Sequence, residues 1–147
     1  MSIGGNDLIA IDTNALVHWV RQDSTGQQLL EQYALDQRAE RPVLSTVVEG
    51  EIRGLARCWK WGAAKLRRLD EILAELVRVD AGHADIVQAY ADLYFEDQAG
   101  GHNTGENDLW IAATAKVTGA VLLTGDSDFN WLRPRFIKVE YVPKRAS

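Results

Sequence analysis

A chain of 147 residues with 46% hydrophobic content is long enough to bury one sizeable core, and its length argues for a single domain over residues 1–147. Its one cysteine, Cys58, allows neither an internal disulfide nor a cysteine cluster, which excludes zinc-ribbon and thioredoxin-like readings and fits a reducing compartment. The formal net charge of −5 lacks the excess of Lys and Arg that phosphate-binding proteins usually show, so any such function has to rest on how charge is distributed. No apolar run approaches the roughly 18 residues that cross a bilayer, and the start, MSIGGNDLIAID, has neither the basic region nor the long apolar stretch of a secretory signal. A cytoplasmic protein without a membrane partner is expected.

DLIAID (residues 7–12) is a short apolar run ending in an acid, and TNALVHWV follows with helical character, so a strand runs into a helix. Residues 24–38 read as a helix capped by Ser24 and carrying Leu29, Leu30, Tyr33 and Leu35, before the break at Pro42. PVLS is a second strand. VVEGEIRGLARCWK (47–60) is a helix despite Gly50 and Gly54, whose presence points to close packing. Residues 63–76 place Leu66, Leu69, Ile72, Leu73 and Leu76 on one side of an amphipathic helix, and LVRV is a third strand. Ile86, Ala89, Tyr90, Leu93 and Tyr94 recur at helical spacing between residues 83 and 98. After the loop AGGHNTG, NDLWIAATAKVTG (107–119) is apolar around much of its circumference, opened by Asn107 or Asp108 and stopped by Gly119. AVLLTGD, DFNWL and FIKVEYV then read as a fourth strand, a short helical turn and a fifth strand. Strands alternating with helices predict an α/β fold with a parallel sheet covered on both faces.

In open parallel sheets, ligands sit beyond the carboxyl ends of the strands. Asp12 follows the first strand and Asp126 the fourth, so both belong to that edge. Glu51 lies on the helix after the second strand, about one and a half turns in, within reach of the same edge. Asp108 opens the helix before the fourth strand, a start expected at the opposite edge unless the preceding loop returns across the face. Each acid also has an ordinary reading: helix caps for Asp12 and Asp108, a solvated helix position for Glu51, an Asx turn for Asp126 and Asp128. Together, with no Lys or Arg inside IDTN or TGDSDF, converging carboxylates would repel one another unless a cation held them. The oxygen-only donor set fits Mg²⁺, with Mn²⁺ as an equivalent, and His18, His83 and His102 read as structural or exposed. Two such ions about 4 Å apart suit phosphodiester cleavage. Basic residues gather at Arg53, Arg57, Lys60, Lys65, Arg67 and Arg68, at Arg133, Arg135 and Lys138, and at Lys144 and Arg145, as a phosphate-facing surface or as solvated helix faces.

IDTNALV, LSTVVEGEIRGLA, GENDLWIAATA and VLLTGDSDF, in this order, resemble the motifs of the PIN-domain ribonucleases, and within them the VapC toxins of toxin-antitoxin pairs. The resemblance covers nearly the whole chain. It implies a three-layer α/β/α fold around about five parallel strands and a catalytic acidic ring of Asp12, Glu51, Asp108 and Asp126, with Asp128 as the competing fourth acid and Thr13 or Asn14 in support. Glu49 competes with Glu51 but lies about 200° away around the helix. Asp12 and Asp108 would hold the principal Mg²⁺, with Glu51 and Asp126 acting through water or a second ion. An RNA substrate, tRNA or ribosomal RNA, is implied, as are a VapB-type antitoxin covering the acidic site and a toxin homodimer. Trp59 and Trp61 either line the antitoxin groove or fill the core. The alternatives are a metal-dependent phosphatase-like α/β enzyme, which would need a functional Lys that IDTN does not supply, and a non-catalytic module whose acids hold a partner's arginines.

Overall fold

A computed structural model describes residues 3–143, so the basic pair Lys144 and Arg145 lies outside the described residues. Five strands, β1 (Ile9–Ile11), β2 (Val43–Ser45), β3 (Val77–Val79), β4 (Val121–Thr124) and β5 (Lys138–Tyr141), form one sheet in the order β3-β2-β1-β4-β5, with every neighbouring pair parallel. β1, β2 and β4 are buried at every position and carry the continuous apolar runs expected of strands covered on both faces. β3 and β5, at the edges, are less buried, β3 being exposed at two of its three positions and β5 at one of four. The expected α/β fold with five parallel strands is met.

The connections are helical: α1 (Thr13–Arg21) and α2 (Ser24–Tyr33) between β1 and β2, α3 (Thr46–Cys58) and α4 (Ala63–Glu75) between β2 and β3, α5 (Ala84–Gly100) and α6 (Glu106–Thr118) between β3 and β4. A 3₁₀ turn, Ser127–Leu132, follows β4. α6 buries Leu109, Ile111, Ala112, Ala113, Thr114 and Ala115, as its nearly all-round apolar sequence predicts. Core side chains from both layers, among them Leu16, Ile52, Leu93, Leu122 and Phe129, are fully buried.

Several boundaries depart from the sequence reading. α2 is capped by Asp23, whose carboxylate accepts the Gly26 N–H at 2.9 Å, and not by Ser24; it stops at Ala34, so residues 35–38 are not helical. A β-carbon at Gly26 would lie 2.1 Å from the carbonyl oxygen of His18, so this glycine sets how closely α2 crosses α1. By contrast, β-carbons at Gly50 and Gly54 would meet nothing within 4 Å, and the close packing expected of them is absent. α6 begins at Glu106 with Gly105 as its cap, so neither Asn107 nor Asp108 caps it.

The chain leaves β1 toward β2 and β3, then returns across the sheet to place β4 on the other side of β1. That reversal opens a crevice beyond the carboxyl ends of β1 and β4, the usual ligand position in doubly wound sheets.

Candidate active site

Asp12 stands in this crevice, 4% exposed. One carboxylate oxygen accepts the Thr13 N–H at 2.7 Å and caps α1; the other accepts the Thr124 hydroxyl at 2.6 Å and the Asn14 amide at 3.2 Å. Thr124 closes β4 one step beyond the paired Ile11 and Leu123, so the strand register itself brings it level with Asp12. Burial pushes the Asp12 carboxyl above the usual range; the bonds from Thr124 and Thr13 oppose the rise, and the charges of Glu51 and Asp126 add to it. Asn14 also accepts the Gly125 N–H at 2.7 Å and so ties the start of α1 to the loop after β4.

Glu51 reaches the crevice from α3, where its Oε1 accepts the Thr13 hydroxyl at 3.1 Å. Glu49 points elsewhere, receiving Arg78 Nε at 2.6 Å and Arg53 Nε at 3.6 Å. The separation around the helix that distinguishes the two acids in sequence is what parts them in space.

Asp108 lies at the same edge, not the opposite one. α6 feeds β4 and so runs antiparallel to it, starting at the carboxyl edge. The loop before it is pinned there: the Thr104 N–H donates to Asp97 Oδ1 at 2.9 Å, Trp131 Nε1 donates to Thr104 Oγ1 at 2.9 Å, and His102 stacks on Trp131 with ring centroids 4.0 Å apart. Freed from capping, the Asp108 carboxyl is pushed up to about 7, by burial first and then by the charges of Asp12, Asp126, Glu51 and Asp128. Asp126 caps the 3₁₀ turn by accepting the Asp128 N–H at 2.9 Å, while its own N–H donates to Thr124 Oγ1 at 2.9 Å. One carboxylate oxygen from each of Asp108, Asp126 and Asp128 lies within 4.8 Å of the others. This grouping includes Asp128, which the sequence left as an alternative, and not Asp12, whose two oxygens accept bonds from Thr13, Thr124 and Asn14.

Asp12, Thr13, Asn14, Glu51, Asp108 and Asp126 line one cleft of about 330 Å³, which continues past His18, Arg21, Leu55 and Trp59. A larger cleft of about 590 Å³ adjoins it over Asn14, His18, Gly125 and Asp126. A divalent cation fits these residues: the donors are all carboxylate oxygens, and a cation would offset both the burial and the neighbouring charges that raise the Asp108 carboxyl. Thr124 and Arg21 escaped the sequence reading, and His18, read there as structural or exposed, lines the cleft. Thr124 sits within the TGDSDF motif, and His18 and Arg21 follow Asn14 by four and seven residues, the spacing of one helix face. His18 is held by Asp23 at 2.8 Å. Trp61 is core, 9% exposed, whereas Trp59 is 45% exposed at the cleft.

Fold and site together define a doubly wound α/β domain whose switch-point crevice carries an oxygen-only acidic centre. The chain belongs to the PIN domain family, whose profile matches residues 9–133. Among solved structures it is similar to VapBC2 from Rickettsia felis bound to a DNA fragment from its promoter, with 24% identity over 91% of this chain and 98% of that one and a TM-score of 0.76. It is also similar to VapBC-1 from nontypeable Haemophilus influenzae, with 19% identity, 93% and 99% coverage and a TM-score of 0.72. VapBC-5 from Mycobacterium tuberculosis matches with 21% identity, 91% and 97% coverage and a TM-score of 0.64. At these identities the shared property is the fold. No curated protein sequence matches the chain significantly.

Proposed function

We propose that this protein is the toxin of a VapBC-type toxin-antitoxin pair, a Mg²⁺-dependent endoribonuclease that hydrolyses phosphodiester bonds in tRNA or ribosomal RNA. The observation that carries the reading is the grouping of Asp108, Asp126 and Asp128, with Asp12 and Glu51 on the same crevice, in a chain of the PIN domain family. Similarity in fold to VapBC complexes supports the toxin assignment and, with it, a VapB-type antitoxin partner; a homodimer and a cytoplasmic location belong to the same proposal. Among the described residues, no helix is long and apolar enough to cross a membrane.

Asp108, Asp126 and Asp128 would hold the ion, with Asp12 and Glu51 facing it; Mg²⁺ or Mn²⁺ there supplies Lewis-acid polarisation of the phosphate and lowers the pKa of a water. The chain's own residues fix the acids in place. Thr124 and Asn14 hold the Asp12 carboxylate, and Thr13 orients Glu51. A cation held there would offset the burial that raises the Asp12 and Asp108 carboxyls.

Purified protein incubated with total RNA should cleave it in Mg²⁺ and not in EDTA. Asp12→Asn and Asp108→Asn should each lose more than the roughly 10- to 100-fold that removal of an outer-shell partner costs, while remaining folded by circular dichroism. Full activity in either variant removes that residue from the mechanism. Release of phosphate from monoesters without RNA cleavage would favour a phosphatase-like enzyme, and inertness with tight partner binding would favour a non-catalytic module.

A further inference from the structure

The cleft that holds the acids does not end with them. Beyond Asn14 it follows the α1 face through Val17, His18 and Arg21 to Leu55 and Trp59. Trp59 caps the end of α3, and Lys60 after it takes a φ of 55°, a left-handed turn after which Trp61 is buried while Trp59 remains 45% exposed. An indole left in water forgoes the burial that its neighbour obtains. The Arg21 guanidinium lies over it, 4.6 Å from the ring centroid. Among the described residues, Arg21 makes no salt bridge. Asp23, the acid that its charge reaches, is already bonded to His18 Nδ1 at 2.8 Å and to the Gly26 N–H at 2.9 Å.

One cleft thus carries a group of carboxylates suited to a cation, a short mixed wall, and a planar aromatic with an available guanidinium. A single-stranded nucleotide chain has the complementary sequence of parts: a phosphate for the cation, a ribose for the wall, and a base that stacks on aromatic rings or guanidinium planes. The volume of about 330 Å³ falls at the small end of ligand-sized clefts, which suits one nucleotide. A peptide segment bearing arginines would satisfy the acids and leave Arg21 without an anion.

We propose that Trp59 and Arg21 form a nucleotide subsite, in which a base of single-stranded RNA close to the cleaved bond stacks on the Trp59–Arg21 pair and the guanidinium donates to that nucleotide's phosphate. The subsite rests on the nuclease reading and identifies part of its grip on substrate.

The test is fluorescence anisotropy with a fluorescein-labelled single-stranded hexaribonucleotide of phosphorothioate backbone, titrated with the full chain in Mg²⁺. Trp59→Ala should weaken binding about 5- to 100-fold, the range of one lost base stack, and Trp59→Phe should retain most of the affinity. Six further hexamers, each with one abasic position, separate stacking from folding. One of them should bind the wild type as weakly as the intact hexamer binds Trp59→Ala, and with that hexamer the variant should cost nothing further. Arg21→Ala should reduce the slope of log K against log salt by about 0.7, the share of one phosphate contact on a single strand, whereas Arg21→Lys keeps the slope. An equal Trp59→Ala loss on all six abasic hexamers would make Trp59 structural and overturn the subsite. RNA binding indifferent to Trp59 would overturn the subsite alone and leave a peptide as the occupant of that face. A wild-type protein that binds no hexamer overturns the subsite, and the nuclease reading then stands or falls on Mg²⁺-dependent cleavage of total RNA.

Discussion

Thr124 is fully buried, and a single hydroxyl there donates to Asp12 Oδ2 and accepts the Asp126 N–H, coupling two of the acids. Thr124→Val keeps the shape and removes both bonds. RNA cleavage should fall about 10- to 100-fold, as for loss of an outer-shell partner, while Thr124→Ser restores it. Kinetics on a labelled RNA would show this, and an unchanged rate would mean that Asp12 needs no such support. Asp108 allows a prediction of opposite sign. Its carboxyl is raised from 3.8 to about 7, so the folded metal-free protein holds a proton that the unfolded chain releases earlier. That contribution is complete below about pH 4 and is lost as pH rises through 7. In EDTA, Asp108→Asn should therefore melt a few degrees above the wild type at pH 8, with the gap closing toward pH 4. Scanning calorimetry at both pH values measures it, and no gain at pH 8 would mean that burial of the Asp108 charge among its neighbouring acids costs little.

Among the elements, α1 does most to arrange the crevice: Asp12 caps it, Asn14 in its first turn ties β1 to the loop after β4, and His18 and Arg21 extend the same face. α3 supplies Glu51 on one turn and salt-bridges Glu49 to Arg78 on another face. Its glycines serve no close contact, since a β-carbon at Gly50 or Gly54 meets nothing within 4 Å. Gly50→Ala and Gly54→Ala should each stabilise the protein by about 0.5–1 kcal/mol, the cost of glycine in a helix interior. Chemical denaturation would register the gain as a higher midpoint with unchanged slope. A lower midpoint would reveal a contact that the monomer does not show.

For the whole molecule, the net charge of −5 conceals an uneven distribution. Arg53 is paired with Glu49 and Asp70, and Arg68 donates to the Val20 carbonyl, so part of the basic stretch after the second strand serves the fold. α5 turns Val87, Tyr94 and Phe95 outward, and Tyr90 stacks between Tyr94 and Trp110 at centroid distances of 6.1 and 3.9 Å. The proposed homodimer would have apolar surface of this kind to bury. Size-exclusion chromatography with light scattering on the isolated chain should give twice the mass of 16.4 kDa, and a monomer at all concentrations would count against the dimer.

Periodicity in the chain determined the α/β class, the order of elements and the five strands, because burial on two faces of a parallel sheet leaves continuous apolar runs and amphipathic helices leave their spacing in the sequence. Asp12, Glu51 and Asp126 could be assigned to one edge because each follows a strand at short range. Asp108 belongs to the same edge because α6 runs antiparallel to the β4 it feeds, and its place there is held by a loop anchored through Thr104, His102 and Trp131, partners from two separate segments that no local pattern links. The inclusion of Asp128, the coupling through Thr124 and the cleft running on to Arg21 and Trp59 were likewise decided only in three dimensions. Local sequence carries the preferences of each segment, whereas distances between side chains remote along the chain are set by strand register and helix packing, and these exist only once the sheet has formed.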